Sequence, residues 1–306
     1  MRRLVAFVLL FTMMPAAAAA ASELDELLEQ SQAASYSAEQ MISCATPDGE
    51  RNALVRIEQV GDELRVTSSI SDGVQVVSGE GEWTLKRGEG QVVQANVDAG
   101  QATTEPLYTV EEEGAVQYLG RAAMAYLLIR DGEPRAELVV DDETRAIVEA
   151  VTLTLDNEIY CERRFVSFDT ATPVIDDGTE AAAKTAPSAI ETSSLPDQIS
   201  GFELLDHYVD EDGVAFAYYS DGFFSFALFE TANTVALPDA ELVEFGSGPY
   251  SRVFTAGQVT YVWETRDFGM ALVGDLPPDM HEAVLAEMPH PEDPGLFRRW
   301  WRALFG

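Results

Sequence analysis

Short apolar runs that alternate with turn residues dominate this sequence and constrain its fold more than any other feature. From residue 37 to residue 168, segments rich in Val, Ile, Leu and aromatic residues are separated by turn pairs such as Gly61-Asp62, Asp72-Gly73 and Asp131-Gly132. Tight turns join antiparallel neighbours, whereas parallel strands need a long crossover connection. The spacing therefore predicts an antiparallel meander rather than a series of β-α-β units.

One amphipathic helix is expected ahead of this meander, over residues 22–35. Leu24, Leu27 and Leu28 fall on one helical face, and acidic residues favour its first turn. A helix followed by about ten strands suggests a curved antiparallel sheet wrapped on that helix. The strands are predicted near residues 37–45, 51–60, 63–70, 74–78, 82–86, 91–97, 116–119, 122–130, 135–141, 146–155 and 158–168.

A change in composition divides the chain after residue 169. Residues 170–194 are rich in Ala, Thr, Ser, Asp and Pro and lack a sustained apolar period, which is typical of a flexible linker. We expect an N-terminal domain over residues 22–169 and a smaller C-terminal domain over residues 195–289. Strands of the second domain are predicted near residues 201–208, 213–220, 223–230, 250–255, 258–265 and 268–274.

The second domain is expected to end in a short helix. A helix tolerates proline in its first turn, as at Pro278, and Met280, Val284 and Met288 recur every four residues to form one apolar face. The predicted fold class is therefore α+β, mostly antiparallel β, in two domains.

The first 21 residues have the organisation of a secretory signal peptide. Arg2 and Arg3 supply positive charge, residues 4–14 form an apolar stretch too short to cross a bilayer, and residues 16–21 are alanines suited to cleavage. We therefore expect export to the periplasm. A permanent N-terminal anchor is the alternative.

Two cysteines, Cys44 and Cys161, lie in strand-like segments of the N-terminal domain. An even pair in an exported chain predicts a disulfide bond. Two separate buried thiols are the alternative.

Charge and motif content narrow the possible functions. Acidic residues outnumber basic ones 53 to 19, and the net charge of -34 argues against nucleic-acid binding because phosphate backbones would be repelled. The three histidines, His207, His281 and His290, form no ligand pair, and Ser247 lies outside a Gly-x-Ser-x-Gly motif. We therefore predict no catalytic residue, metal or cofactor, and a protein that is not an enzyme.

The C-terminal tail, residues 290–306, is basic and aromatic in an otherwise acidic chain. This pattern suits contact with an anionic membrane interface or with a partner, and docking onto the protein's own acidic surface is the alternative. On a helical wheel, one arc is apolar and consists of Leu296, Phe297, Trp300, Trp301, Leu304 and Phe305. The other arc contains Arg298, Arg299 and Arg302.

Two motifs of the second domain resemble those of the RseB/MucB family. Tyr219-Ser220-Asp221-Gly222-Phe223-Phe224-Ser225-Phe226 is similar to the hairpin motif of that family, and Val273-Gly274-Asp275-Leu276-Pro277-Pro278 to its closing motif. In the first domain, Tyr36-Ser37 at the start of a strand and Asp141-Asp142-Glu143-Thr144 between two strands also resemble the family's larger domain. The order and separation of the motifs cover nearly all of the chain after residue 21.

The resemblance implies a LolA-like N-terminal domain, which is an incomplete β-barrel wrapped on a helix, and a smaller α+β domain. It further implies a regulator of the sigma-E envelope stress response. Such a protein binds the exported domain of a membrane anti-sigma factor, shields it from regulated proteolysis and is released by a lipid-like or lipopolysaccharide-like signal. The alternative function is that of a periplasmic lipid or lipoprotein carrier of LolA type. Assembly into a homo-oligomer is a further possibility.

A concave sheet closed by a helix could also hold an acyl chain, because ligand cavities are concave and mostly apolar. Ordinary core packing is the alternative for each lining residue. The candidate lining residues are Val74, Val76, Trp83, Leu85, Val92 and Tyr108.

Overall fold

The computed structural model describes residues 16–47, 49–61, 63–68, 75–79, 82–87, 91–96, 107–173, 195–209, 214–231, 240–255, 258–266 and 268–292. Most of the predicted signal peptide, most of the predicted linker and most of the basic tail lie outside these residues. No helix within the described ranges has the length and apolar character needed to cross a membrane.

Helix α1, Ala16–Gln32, precedes the first sheet. Leu24 and Leu27 are buried on one of its faces, as their spacing predicts. The helix begins and ends earlier than the predicted range of residues 22–35. It ends before Ala34 because the chain there enters the sheet, and the Ala34 carbonyl accepts a hydrogen bond from the Gly61 amide at 3.2 Å.

The first sheet has eleven antiparallel strands in the order β6-β5-β4-β3-β2-β1-β11-β10-β9-β8-β7. It is open, since β6 and β7 form its two edges. Its central pair, β1 and β11, brings the first and last strands of the meander together. The strands are β1 Ser35–Thr46, β2 Gly49–Val60, β3 Glu63–Ser68, β4 Gln75–Gly79, β5 Glu82–Arg87, β6 Gln91–Asn96, β7 Tyr108–Tyr118, β8 Arg121–Arg130, β9 Glu133–Asp141, β10 Ile147–Leu153 and β11 Ile159–Asp169.

Strand β7 is longer than the sequence predicts. It begins at Tyr108, eight residues before the expected start at residue 116, and contains Glu111, Glu112 and Glu113. The prediction was wrong here because both faces of an edge strand can meet solvent, so polar residues replace the usual apolar alternation. The register with β8 shifts between Glu112 and Gly114, as in a β-bulge.

The second sheet has eight strands in the order β12-β13-β14-β15-β19-β18-β17-β16, followed in the chain by helix α2, Pro278–Glu287. Strands β12 and β16 were not expected from the sequence, because one is very short and the other is an exposed edge with little apolar alternation. The strands are β12 Gln198–Ile199, β13 Phe202–Val209, β14 Ala215–Ser220, β15 Ser225–Thr231, β16 Glu241–Phe245, β17 Gly248–Thr255, β18 Gln258–Glu264 and β19 Gly269–Gly274.

The two sheets share one apolar core. Leu24 of α1, Leu128 and Leu138 of the first sheet, and Phe226 and Leu272 of the second belong to a single buried cluster. A separate cluster lies around β1, β2 and β11. The fold is α+β and mostly antiparallel, as predicted. The assignment of separate domains over residues 22–169 and 195–289 stays a prediction.

A disulfide bond joins Cys44 of β1 to Cys161 of β11, which confirms the predicted pairing. The two residues are directly opposite each other in the ladder, and both are buried. The bond therefore links the first and last strands of the meander at the centre of the sheet.

Candidate binding site at the junction of the two sheets

The turn between β14 and β15 places Asp221 between the two sheets. Its side chain is completely buried. One carboxylate oxygen, Oδ1, accepts hydrogen bonds from the backbone amides of Phe223 at 3.0 Å and Phe224 at 2.7 Å. An aspartate that accepts from amides two and three residues on closes a tight turn. Half of the carboxylate therefore shapes the β14–β15 hairpin.

The other half of the carboxylate binds the first sheet. Oδ2 of Asp221 accepts a hydrogen bond from the hydroxyl of Tyr108 on β7 at 2.6 Å. The same oxygen forms an ion pair with the guanidinium of Arg130 on β8. Asp221 thus connects its own hairpin to two neighbouring strands of the other sheet.

Arg130 is surrounded by groups that suit a guanidinium. It lies 5.9 Å from the ring centroid of Tyr108 and 5.7 Å from that of Phe202, within the range of cation–π contacts. Its Nη2 donates a hydrogen bond to the Ser200 carbonyl at 3.3 Å. A Cβ atom at Gly201 would lie 2.6 Å from the same nitrogen, so glycine permits this close approach.

Burial controls the ionisation of this cluster. Burial raises the pKa of the Asp221 carboxyl, while the hydrogen bond from Tyr108, the charge of Arg130 and the two backbone amides oppose that rise. Burial, together with the nearby Asp221 charge, raises the pKa of the Tyr108 hydroxyl well above its ordinary value. Tyr108 therefore keeps its proton and acts as a donor at neutral pH.

Two further ion pairs connect the first sheet to the C-terminal part of the fold. Arg135 of β9 binds Asp279, in the first turn of α2, with 2.8 Å between Nη2 and Oδ2. Arg163 of β11 binds Asp275, which follows β19, at 2.6 Å. Arg135 is only 1% exposed, and its Nε and Nη1 have no hydrogen-bond partner among the described residues.

A partly open cavity of about 210 Å³ lies beside the ion pair of Arg135 and Asp279. Ser200, Phe202 and Leu155 provide parts of its wall, together with Arg130 and Arg135. The cavity has room for several water molecules or for one side chain of a partner. Because charged and apolar side chains both line the cavity, it suits a side chain that has a polar group at the end of a short apolar segment.

The hairpin motif of the sequence lies at this junction. The Tyr219 ring is buried and its hydroxyl donates to the Pro196 carbonyl at 2.9 Å. The Ser220 hydroxyl donates to the Phe224 carbonyl and accepts from the Gly222 amide, both at 3.1 Å. The Phe223 ring meets the Tyr108 ring edge-on, with 5.9 Å between centroids. These residues build the turn that positions Asp221.

The closing motif supports the fold on the other side of the hairpin. A Cβ atom at Gly274 would lie 2.9 Å from the Cβ atom of Phe226, so the two strands approach closely there. Leu276 is fully buried, and Pro277 and Pro278 start helix α2. These residues hold Asp279 in place beside Arg135.

The proposed lipid-lining residues are only partly described. Val74 lies outside the described residues, and only the backbone positions of Val76, Trp83, Leu85 and Val92 are described, so their role stays a prediction. Tyr108 is 3% exposed and its hydroxyl is bound to Asp221 at the junction. The tail residues Arg298, Arg299, Trp300, Trp301 and Arg302 lie outside the described ranges.

The histidines and Ser247, which are residue types common in catalytic sites, lie apart from one another. His281 is buried, His207 and His290 are exposed, and the Ser247 hydroxyl is hydrogen-bonded to that of Tyr250 at 2.8 Å. Within the described ranges, no group of three or more His, Cys, Asp or Glu side chains is arranged to hold a metal ion.

Arg130, Arg135 and Asp279 were not identified from the sequence. Arg130 is the last residue of β8 and Arg135 is the third residue of β9, so both lie near a turn, which is an ordinary place for a solvated charge. An arginine within an apolar strand is a weak sign of a buried ion pair. Its partner was out of reach of sequence reasoning, because Arg130 and Asp221 are 91 residues apart.

Comparison with known proteins adds information at the level of the fold. No protein-family model matches the sequence, and no curated protein matches it. A crystal structure of MucB matches with a TM-score of 0.54 and 18% identity, over 89% of this chain and 98% of that one. The chain has the fold of MucB.

Two structures of MucB with a partner give the same result. The Pseudomonas aeruginosa MucA/MucB complex and MucB in complex with MucA(peri) each match with a TM-score of 0.52 and 19% identity. Each match covers 87% of this chain and 96% of the matched chain. The predicted resemblance to the RseB/MucB family is therefore confirmed for the fold, and the MucB-like arrangement includes both sheets.

Proposed function

We propose that this chain is an exported regulator that binds the extracytoplasmic domain of a membrane anti-sigma factor and shields it from regulated proteolysis. The observation that carries the proposal is the MucB fold over 89% of the chain, together with the existence of MucB structures bound to MucA. The motif that resembles the RseB/MucB family adds support, because it builds the junction between the two sheets.

The junction suits a binding role. Ion pairs from Arg130, Arg135 and Arg163 connect three strands of the first sheet to the second sheet and to helix α2. A partner that contacts both sheets would meet a surface of fixed shape, and rigid surfaces lose little conformational entropy on binding. The cavity beside Arg135 offers a place for one side chain of that partner.

Release by a lipid-like signal is part of the same proposal. A ligand that binds the first sheet would weaken partner binding only if it favours a different arrangement of the two sheets. The buried link between Tyr108 and Asp221 is the contact that such a ligand would have to oppose.

The decisive experiment uses the full mature chain and the purified exported domain of the anti-sigma factor from the same organism. We expect a stable complex by isothermal titration calorimetry and slower cleavage of the anti-sigma domain by its first regulatory protease. Folded protein that neither binds the domain nor slows its cleavage would contradict the proposal. Lipid that co-purifies with such non-binding protein, detected by native mass spectrometry, would instead favour a carrier of LolA type.

A matched pair of variants tests whether the junction matters for binding. Asp221→Asn removes the ion pair with Arg130, which is one of three that connect the two parts of the fold, while Glu282→Gln changes one exposed carboxylate on α2. We expect weaker binding for the first variant and unchanged binding for the second. The same affinity in both variants would show that the Asp221–Arg130 ion pair has no part in partner recognition.

A further inference from the structure

Strand β7, Tyr108–Tyr118, forms one edge of the eleven-stranded sheet. Among the described residues it pairs only with β8. The backbone amides and carbonyls on its other side therefore have no strand partner there. Such an edge is a template for another extended chain.

The outer part of this strand is also exposed. Tyr108 and Val110 are buried in the shared core, whereas residues 111–118 are exposed or half-buried at every position. Val116 is 38% exposed. Successive residues point to opposite faces of a strand, so exposed side chains lie on both faces between Glu111 and Gln117.

At the end of the strand, Tyr118 packs against the core cluster around β1, β2 and β11, and its hydroxyl donates a hydrogen bond to the Phe165 carbonyl at 2.9 Å. Helix α1 packs against β7. Its Leu24 and Leu27 share a core cluster with Tyr108 and Val110, at the start of the strand.

The negative charge of strand β7 determines which kind of extended chain could pair with its edge. Glu111, Glu112 and Glu113 are consecutive and exposed, and no ion pair neutralises them within the described residues. Their carboxylates project on both faces of the edge. Like charges oppose pairing of two copies through this segment, whereas lysine or arginine side chains on an added strand would be attracted.

We propose that the segment from Glu111 to Tyr118 is a strand-addition site for an extended basic segment of a partner protein. Backbone hydrogen bonds along the free edge supply affinity, as in other cases of β-augmentation. The three glutamates select for basic side chains, and Val116 offers an apolar contact next to them. The proposal goes beyond the anti-sigma assignment, because it concerns the chemistry of the segment and not the identity of the partner.

Amide hydrogen exchange on the full mature chain tests strand addition directly. The probe is a short synthetic peptide of alternating lysine and valine. One comparison peptide has the same charge with proline in place of valine, and another has glutamate in place of lysine. Free edge amides exchange quickly, and an added strand slows them because each outward amide gains an acceptor. We expect slower exchange within residues 111–118 with the lysine–valine peptide only.

The role of the glutamates is tested with two charge-matched variants. The variant E111Q/E112Q/E113Q removes three carboxylates from β7, and the control D156N/E158Q/E282Q removes three exposed carboxylates elsewhere. We expect peptide affinity to fall about tenfold in the first variant and to stay unchanged in the control, because exposed ion pairs contribute modestly but add up. Binding of the lysine–valine peptide should also weaken at high salt, because salt screens the attraction between its lysines and the glutamates.

Several results would overturn the proposal. These are unchanged exchange in residues 111–118 with the lysine–valine peptide, equal protection by the proline peptide, or equal affinity loss in the two variants. Slow exchange of these amides in the free chain would show that the edge is already covered, by another segment of the chain or by a second copy. Sedimentation would separate those two cases, and either would contradict a free site.

The same measurement with the anti-sigma domain keeps the two proposals distinct. If that domain binds and protects residues 111–118, it contains the basic segment. If the domain binds without this protection while the peptide protects the edge, the anti-sigma assignment holds and the edge serves a different partner. If only the peptide binds, the anti-sigma assignment fails and the edge site stands.

Discussion

At the residue scale, Asp221 has two structural roles. One carboxylate oxygen closes the β14–β15 turn, and the other binds Tyr108 and Arg130 of the opposite sheet. The residue belongs to a motif that the sequence already singled out. Its second role explains why an aspartate is needed there, since a turn alone would accept asparagine.

Replacing Asp221 by asparagine tests this second role. Asparagine can still accept from the backbone amides, but Arg130 would lose its buried counter-charge and keep only the exposed carboxylate of Asp131, 3.7 Å from its Nε. We expect the free energy of unfolding to fall by about 3 kcal/mol, measured by urea denaturation. Tyr108→Phe removes one hydrogen bond only and should cost about 1 kcal/mol. Equal effects of the two substitutions would show that the ion pair adds nothing to the hydrogen bond.

His281 makes the stability depend on pH. Burial lowers the pKa of its imidazole to about 3, and the nearby Arg252 charge acts in the same direction. Its Nε2 has no hydrogen-bond partner among the described residues, and its ring lies 5.0 Å from that of Tyr261. Below pH 6.5 the unfolded chain binds a proton that the folded chain excludes. The fold therefore loses stability as pH falls from about 6.5 to about 3.

A comparison with His281→Leu isolates this contribution from that of the carboxylates. Between pH 7.5 and pH 5, the wild-type protein should lose about 2 kcal/mol more unfolding free energy than the variant. Urea denaturation of both proteins at the two pH values measures the difference. Parallel losses in the two proteins would mean that His281 is accessible to protons in the folded state.

At the element scale, the close approach of β15 and β19 depends on Gly274. The two strands pair there, with Gly274 opposite Phe226. A Cβ atom at this position would lie 2.9 Å from the Phe226 Cβ atom and 3.2 Å from the Ser225 carbonyl oxygen. The glycine is therefore required by packing and not by a turn.

Gly274→Ala should lower the free energy of unfolding by about 1–3 kcal/mol, because backbone and a buried ring must shift to admit the methyl group. Gly246→Ala is the matched control, since a Cβ atom there has no neighbour within 4 Å. The melting temperatures of the two variants give the comparison. If the Gly274→Ala protein is as stable as the Gly246→Ala protein, strands β15 and β19 can move apart to admit the methyl group with little loss of free energy.

At the scale of the whole molecule, a basic tail follows a chain with a net charge of -34. We predict that deletion of residues 296–306 weakens association with anionic lipid vesicles, measured by sedimentation. Tryptophans favour the membrane interface and arginines attract anionic lipid. The variant R298Q/R299Q/R302Q keeps the aromatic residues and should lose the part of the binding that is sensitive to salt. Unchanged binding after the deletion, or no binding by the intact chain, would contradict a membrane role.

The sequence by itself determined the antiparallel fold, most strand positions, helix α2 and the disulfide pair. These features follow from local patterns: turn residues between apolar runs, a four-residue apolar period and an even number of cysteines in an exported chain. The two edge strands β7 and β16 deviate from the prediction because solvent on both faces removes the alternation on which it depends.

Only the tertiary structure decided how the two sheets meet. The partners of Asp221, Arg135 and Arg163 come from distant parts of the chain, and no local pattern relates residues that far apart. Tyr108 shows the same limit. As an aromatic residue in a strand it suited a lipid cavity, but its hydroxyl binds a buried carboxylate of the other sheet. A side chain's neighbours across a core depend on how whole elements pack, and that is a property of the folded molecule.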